Sequence, residues 1–321
     1  MAKKYAQMIE VAEVSVSVAG GADAKCTFQF VKADFVRSFK GERLPFFNEL
    51  RAKGALRELT LTYPEVVSGT HVRKCLAVSH RWMTPDEPDP DGEQLKAIQA
   101  FLASAAGRDF ELLWIDAQCM PQDKPKGSRS AEDTAAFKEM LGQVNMIYLG
   151  TSVLILLDLS YVSRFWTQFE AWLAMQFATP KGLKPAVGTR NERHTVVCIQ
   201  NAAAQADLYT KALVDNWATK TPQQAHAFLS KPDVTVTNQS DKEGQLPKIE
   251  ELDATAQGAF DLLGQRQQQQ VATTAEAAAR AKAALQADAG AAESLRAAAT
   301  EAEAAAAAAR DAKEVCELAI E

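Results

Sequence analysis

Three short apolar runs in the middle of the chain each end in a polar cluster: CLAVSHRW (75–82), LLWIDAQC (112–119) and SVLILLD (152–158). Segments with helical spacing separate them, over 93–106 and from Ser130 to about residue 148. Unbroken apolar runs suit strands covered on both faces, and their alternation with helices predicts a parallel sheet with helices on either side. Open α/β sheets bind ligands outside the carboxyl ends of their strands. Ser79, His80, Arg81 and Trp82 fall at the first such end, and Asp116 falls at the second.

The flanks read differently. Strict alternation over 14–18, a Gly20-Gly21 turn signal, an apolar stretch over 27–31 and another over 59–63 predict a β-rich extension in residues 1–70, with a helix over 44–56. Residues 71–264 form the expected α/β domain. Ser163 is the expected N-cap of a helix running to Phe177, on which Trp166, Glu170, Leu173 and Phe177 share one face. A fourth strand over 195–199, a helix over 203–218, a fifth strand over 233–238 and a short helix over 246–263 complete it. From Gln265 to Glu321 the chain is rich in alanine, the best helix former, and poor in glycine and proline. That tail predicts one long helix, or two broken near Gly290.

Composition narrows the function classes. The formal net charge is -6 over 321 residues, which gives no reason to expect nucleic acid or an anionic membrane as partner. Eleven acidic against six basic residues from Asp253 onward put much of that charge in the tail. Five scattered cysteines without CxxC or Cys/His spacing argue against structural zinc and for a reducing compartment, with Cys75 and Cys198 expected as buried thiols. The first twenty residues lack the apolar core of a signal peptide, and no apolar run is long enough to span a bilayer. The expectation is a soluble cytoplasmic protein. Neither a phosphate loop nor a GxGxxG motif occurs. The acidic loop with Asp86, Glu87, Asp89, Asp91 and Glu93 carries prolines and lacks EF-hand spacing, so it reads as a solvated loop ahead of a hard-cation site.

The strand-end motifs carry a family resemblance. LAVSHRW, LLWIDAQCMPQD and QVNMIYLG resemble the heterokaryon-incompatibility (HET) domain, in which a W-I-D-x-x-C-I-x-Q segment precedes a Q-V-x-x-M-x-x-I-Y helix. Asp116, Cys119, Gln122, Gln143, Met146 and Tyr148 match it. The segment SVLILLDLSYVSRFWTQFEAW is similar to the Toll/interleukin-1 receptor (TIR) pattern of a strand followed by S-x-x-Y-x-x-S-x-W-C-x-x-E-L. The resemblance covers about residues 75–180, a third of the chain. Thr167 stands where the pattern has cysteine, one extra residue separates Ser163 from Trp166, and the 121–130 loop is longer and more basic than its TIR counterpart. The fold class implied is α/β with a flavodoxin-like, TIR-like parallel sheet.

Some TIR-type enzymes cleave the nicotinamide–ribose bond of NAD, and the resemblance carries their catalytic glutamate over to Glu170. A carboxylate beside an oxocarbenium-like ribose stabilises its developing charge. Trp166, one turn earlier, is suited to stacking on a flat ring, and Arg81 to a pyrophosphate. The substrate-binding set is then Ser79, His80, Arg81, Trp82, Asp116 and Trp166, with NAD as substrate, no bound cofactor and no metal. Two alternatives stay open at these residues. Glu170 pairs with Arg81 or Arg164 and is structural, or His80 is a structural histidine and Asp116 a loop cap. At the level of the whole chain, the rival to a signalling or defence enzyme is a non-catalytic scaffold, with the domain as docking module and the C-terminal helix as the surface for self-association or a protein partner. An open cleft containing Glu170, Trp166 and Arg81 favours the site; a filled one favours the scaffold.

Overall fold

The computed structural model describes the backbone of residues 21–287 and 292–318 and the side chains of 21–284 and 296–311. The alternation over 14–18 and the expected break at Gly290 lie outside them. The first elements are strand β1 (Lys25–Lys32), helices α1 (Ala33–Ser38) and α2 (Phe47–Ala52), strand β2 (Leu56–Thr62) and helix α3 (Tyr63–Val67). β3 (Cys75–Ser79), α4 (Glu93–Ala103), β4 (Leu112–Trp114), α5 (Asp116–Cys119), α6 (Ala131–Gly142), α7 (Asn145–Gly150) and β5 (Ser152–Leu157) form the centre. α8 (Phe165–Ala174), a hairpin of β6 (Gln176–Thr179) and β7 (Gly182–Pro185), then β8 (His194–Cys198), α9 (Ala206–Trp217) and α10 (Pro222–Leu229) follow. Two long helices, α11 (Gln239–Ala287) and α12 (Ala292–Leu318), end the chain.

One six-stranded sheet runs β2-β1-β4-β3-β5-β8. The four strands from β4 to β8 are parallel, giving a flavodoxin-like α/β core. Every residue of β3 and β4 is buried, as helices on both faces require. The N-terminal hairpin continues this sheet: β1 pairs antiparallel with β2 along its length and with β4 through Val31 opposite Leu113. Its alternation puts Cys26, Phe28 and Phe30 inward and Lys25, Thr27 and Gln29 outward.

Several elements depart from the sequence expectation, each for a local reason. The helix over 44–56 is confined to Phe47–Ala52, because Gly54 at φ +62° turns the chain into β2. The helix begun at Ser130, whose hydroxyl does accept the Asp133 amide, stops at Gly142 and restarts at Asn145. Ser163 is not the N-cap of α8; it closes a 3₁₀ turn (Tyr161–Ser163), and Arg164 occupies the cap position. α8 ends at Ala174 because Phe177 and its neighbours pair in the β6–β7 hairpin, so Phe177 is not on the Trp166 face of the helix. The alternation over 233–238 yields no strand, only a bridge from Thr235 to Arg164. α11 begins at Gln239 with Pro247 inside it, and runs straight into the alanine-rich tail. Cys75 is buried, whereas Cys198 on the edge strand is only half-buried.

α11 buries Ile249, Leu252, Ala256 and Ala259 against the body, while its residues beyond about 264 are largely exposed and pack on α12. No helix of the described residues is long and apolar enough to cross a membrane. A polar clamp fixes the docked half: Asp253 accepts the Leu183 amide at 2.7 Å. Gly182 turns the hairpin at φ +98°, and a Cβ there would meet the Asp253 carboxylate at 2.5 Å. Gly182→Ala is therefore expected to lower stability by about 1–3 kcal/mol, read as an earlier urea midpoint. An unchanged midpoint would mean that α11 is not held at this hairpin.

Candidate functional site

At the carboxyl ends of the parallel strands an open cleft of about 430 Å³ lies between the segment after β3, the segment after β4 and the start of α8. β4 and β5 lie on opposite sides of β3, so the cleft sits at the topological switch point. Six of the seven residues expected from the sequence, namely His80, Arg81, Trp82, Asp116, Trp166 and Glu170, line it. Ser79 does not. It is fully buried behind the cleft and holds Glu170 from the rear.

Side chains leaving β3 alternate in direction, and this decides their partners. His80 Nε2 meets Asp116 Oδ1 at 2.9 Å, and the Trp82 indole donates to Asp116 Oδ2 at 2.7 Å. The Ala117 amide donates to Asp116 Oδ1 as well, so Asp116 also caps the turn that follows it. Burial alone pushes the His80 imidazole down, but the Asp116 carboxylate and its hydrogen bond outweigh it and leave the net displacement upward. Burial likewise opposes ionisation of Asp116, and His80 and Trp82 reverse that to hold it below the usual carboxylate range. His80 is thus a positioning partner of Asp116 through Nε2, while its Nδ1 is buried without a hydrogen-bond partner.

Arg81 points the other way. Its Nε and Nη2 donate to Asp158 Oδ2 at 2.9 and 2.7 Å, and Nη1 donates to the Trp82 carbonyl. Asp158, the last residue of the LILLD run, is 2% exposed. The guanidinium expected to face a pyrophosphate is therefore spent on a buried ion pair that ties β3 to β5. Arg164, at the cleft wall, enters no salt bridge among the described residues.

Glu170 lies at the base of the cleft, 9% exposed, on the buried face of α8. The Ser79 hydroxyl donates to its Oε2 at 2.6 Å, and Ser79 Oγ also bonds the Tyr161 hydroxyl. No arginine pairs with Glu170 among the described residues, so neither Arg81 nor Arg164 neutralises it. Burial raises its carboxyl to about 8; the Ser79 hydroxyl, the His80 imidazole and the Tyr148 hydroxyl only partly offset this, and Asp116 adds to it. Tyr148 and Tyr161 stay neutral, their phenols pushed up by burial and then by Glu170. Thr167, where the TIR pattern has cysteine, donates its hydroxyl to the Tyr161 carbonyl and so holds the turn that seats Tyr161 on Ser79.

Trp166 stands half-buried in the wall, edge-on to Phe165 and Phe169 with ring centroids 5.4 and 6.1 Å away. The adjoining rim comes from the 233–238 segment, clamped to the start of α8 by two backbone bonds: Phe165 N–H to Thr235 and Thr235 N–H to Ser163. Asn238 and Asp241, outside the region of resemblance, complete it, and burial raises the Asp241 carboxyl. The acidic loop does not converge on an ion: Asp89 caps α4 through the Gln94 and Leu95 amides, and Glu87 pairs with Arg43. Among the described residues no group of three His, Cys, Asp or Glu is arranged to hold a metal.

Sequence reasoning passed over Asp158 as a site residue, although it ends a strand as Asp116 does. Asp241 gave no signal, since only tertiary folding brings the start of α11 to the cleft. Comparison with protein-family models, with curated proteins and with solved structures finds no match for the chain.

The sign of the Glu170 shift sets a stability test. The folded state keeps this proton up to about pH 8, whereas a carboxyl in the unfolded chain releases it near its ordinary value of 4.5. Folding is therefore penalised increasingly as pH rises between those values, and fully above about 8. Glu170→Gln, which keeps an acceptor for Ser79, is expected to raise Tm, by a stability gain on the order of 2–4 kcal/mol at pH 9 and far less near pH 5. Thermal melts at both pH values read it; a variant no more stable at pH 9 than at pH 5, relative to wild type, sinks the assignment.

Proposed function

We propose that the chain is a HET/TIR-like signalling or defence protein whose cleft binds a nucleotide such as NAD and hydrolyses its nicotinamide–ribose bond with Glu170. The observation that supports this reading is an unpaired, buried carboxyl at the base of an open, aromatic-walled cleft. Buried carboxyls without a cationic partner are rare unless they serve a site. The motif resemblance supplies the substrate class.

In this reading the cationic nicotinamide ring enters beside Trp166, and its charge favours the ionised form of Glu170. The bond from the ribose C1′ to the ring nitrogen breaks, and the electron pair leaves with neutral nicotinamide. Glu170 stabilises the cationic ribose that results. Water adds to C1′ and releases one proton, so NAD and water give nicotinamide, ADP-ribose and a proton. Arg164, with no salt bridge among the described residues, takes the pyrophosphate role in place of Arg81.

A second reading rests on the C-terminal helices. α12 folds back along α11, and both extend past the body with mostly exposed side chains. Self-association or partner binding there fits a scaffold, and also fits an enzyme that assembly activates.

Concentrated purified protein is expected to consume NAD, followed by mass spectrometry of nicotinamide and ADP-ribose, and Glu170→Gln to lose at least about a hundredfold of that rate. For the free protein, kcat/KM is expected to rise with pH through about 8 and then level, because the ionised carboxyl is the active form. Equal rates in both proteins remove Glu170 from the mechanism. No turnover, together with a change in oligomeric state on deleting 265–321, makes the scaffold the better reading.

A further inference from the structure

A second cavity, of about 410 Å³, opens at the opposite end of the sheet, beside the segments that lead into β3 and β8. Its floor is apolar, with Val67 from α3, Phe177 from β6 and Phe260 from α11. Its polar lining is dominated by three arginines, Arg73, Arg190 and Arg193. The volume falls in the range of small-molecule sites.

Arg193 is the informative one. It is only 9% exposed, and its Nη atoms donate to the carbonyls of Thr151, Leu173 and Gln176 at 2.6–3.0 Å. Its Nε has no partner, and no carboxylate pairs with it among the described residues. A guanidinium out of water without a counter-charge is costly, and burial alone lowers it to about 9. Arg73 and Arg190 form no salt bridge among the described residues either. The one acidic group on the lining, Glu192, turns its Oε2 back to the Gly188 amide at 2.7 Å.

We propose that this cavity is a second binding site, for a small organic oxyanion, a phosphate or carboxylate carried on an apolar or aromatic body. The head would supply the counter-charge that the three arginines lack, and the body would cover the floor. Because Phe260 belongs to α11, the bound molecule would also brace that helix against the sheet. None of this depends on NAD chemistry in the cleft.

The test uses the full chain without NAD, with phenyl phosphate as probe and thermal shift and calorimetry as readouts. Phenyl phosphate is expected to raise Tm, while inorganic phosphate, lacking the body, and benzyl alcohol, lacking the charge, do so far less at equal concentration. Arg193 sits in the folded interior, so the variant is the exposed pair Arg73→Ser with Arg190→Ser, expected to bind about tenfold or more weakly. Arg164→Ser, on the other cleft, is expected to bind phenyl phosphate as wild type does. No shift with phenyl phosphate, an equal shift with benzyl alcohol, or loss in Arg164→Ser but not in the double variant would each overturn the proposal.

Discussion

Three consecutive residues, His80, Arg81 and Trp82, lace together the ends of three parallel strands, and the geometry of the cleft depends on that lacing. Their side chains leave β3 in alternating directions. His80 and Trp82 reach across to Asp116 beyond β4, and Arg81 reaches the other way to Asp158 at the end of β5. β4 and β5 flank β3 in the sheet, so one tripeptide spans the switch point from both sides. A switch point is where a parallel sheet opens a crevice, because the connections leave it in opposite directions. Here charge-assisted hydrogen bonds tie the two sides of the crevice to β3.

This arrangement explains why two of the cleft's charged pairs are poor candidates for substrate contact. Asp158 is almost wholly buried and would be an uncompensated charge without Arg81. Releasing the guanidinium to a ligand would strand that carboxylate, so Arg81 serves best as a strut. Asp116 is committed in the same way, with both oxygens hydrogen-bonded from His80, Trp82 and the Ala117 amide. What the lacing leaves over is Glu170. Its hydrogen-bonding neighbours are hydroxyls, it enters no salt bridge among the described residues, and the His80 imidazole only partly offsets its burial.

The parallel core was legible because fully buried strands read as unbroken apolar runs, and most of the polar residues at their ends line the cleft. Six of seven expected side chains line it, the exception being Ser79, whose position in the strand turns it inward behind Glu170. Local breaks were less legible. Phe177 fits a helical stripe by spacing, yet pairing with β7 through the Pro180–Gly182 turn overrides that periodicity. The alternation over 233–238 resembles a strand because Val234 is buried and Val236 half-buried between the exposed Asp233, Thr235 and Thr237, yet the segment makes only a single bridge, from Thr235 to Arg164. Partner choice was beyond the sequence altogether. Nothing local tells Arg81 to choose Asp158 over a ligand, or brings Asp241 to the cleft from 71 residues beyond Glu170.

Glu170 joins stability and proposed function in one group. A carboxyl that burial keeps protonated to about pH 8 is a poor anion in the empty cleft. It becomes a strong one only when a positive charge enters the same desolvated space, since there the attraction is little screened. Ionisation and binding of a cationic ring are thus coupled. On the proposed function, a neutral nucleotide would not draw the proton off, whereas NAD, with its nicotinamide carrying the charge, would. The Ser79 hydroxyl can serve both states, donating to the carboxylate and accepting from the neutral acid, so no rearrangement is required on ionisation. A surface glutamate would be charged at all times and screened by water. Placing it on the buried face of α8 costs stability; under the proposed function, the charge would in return be present where and when a cationic transition state forms.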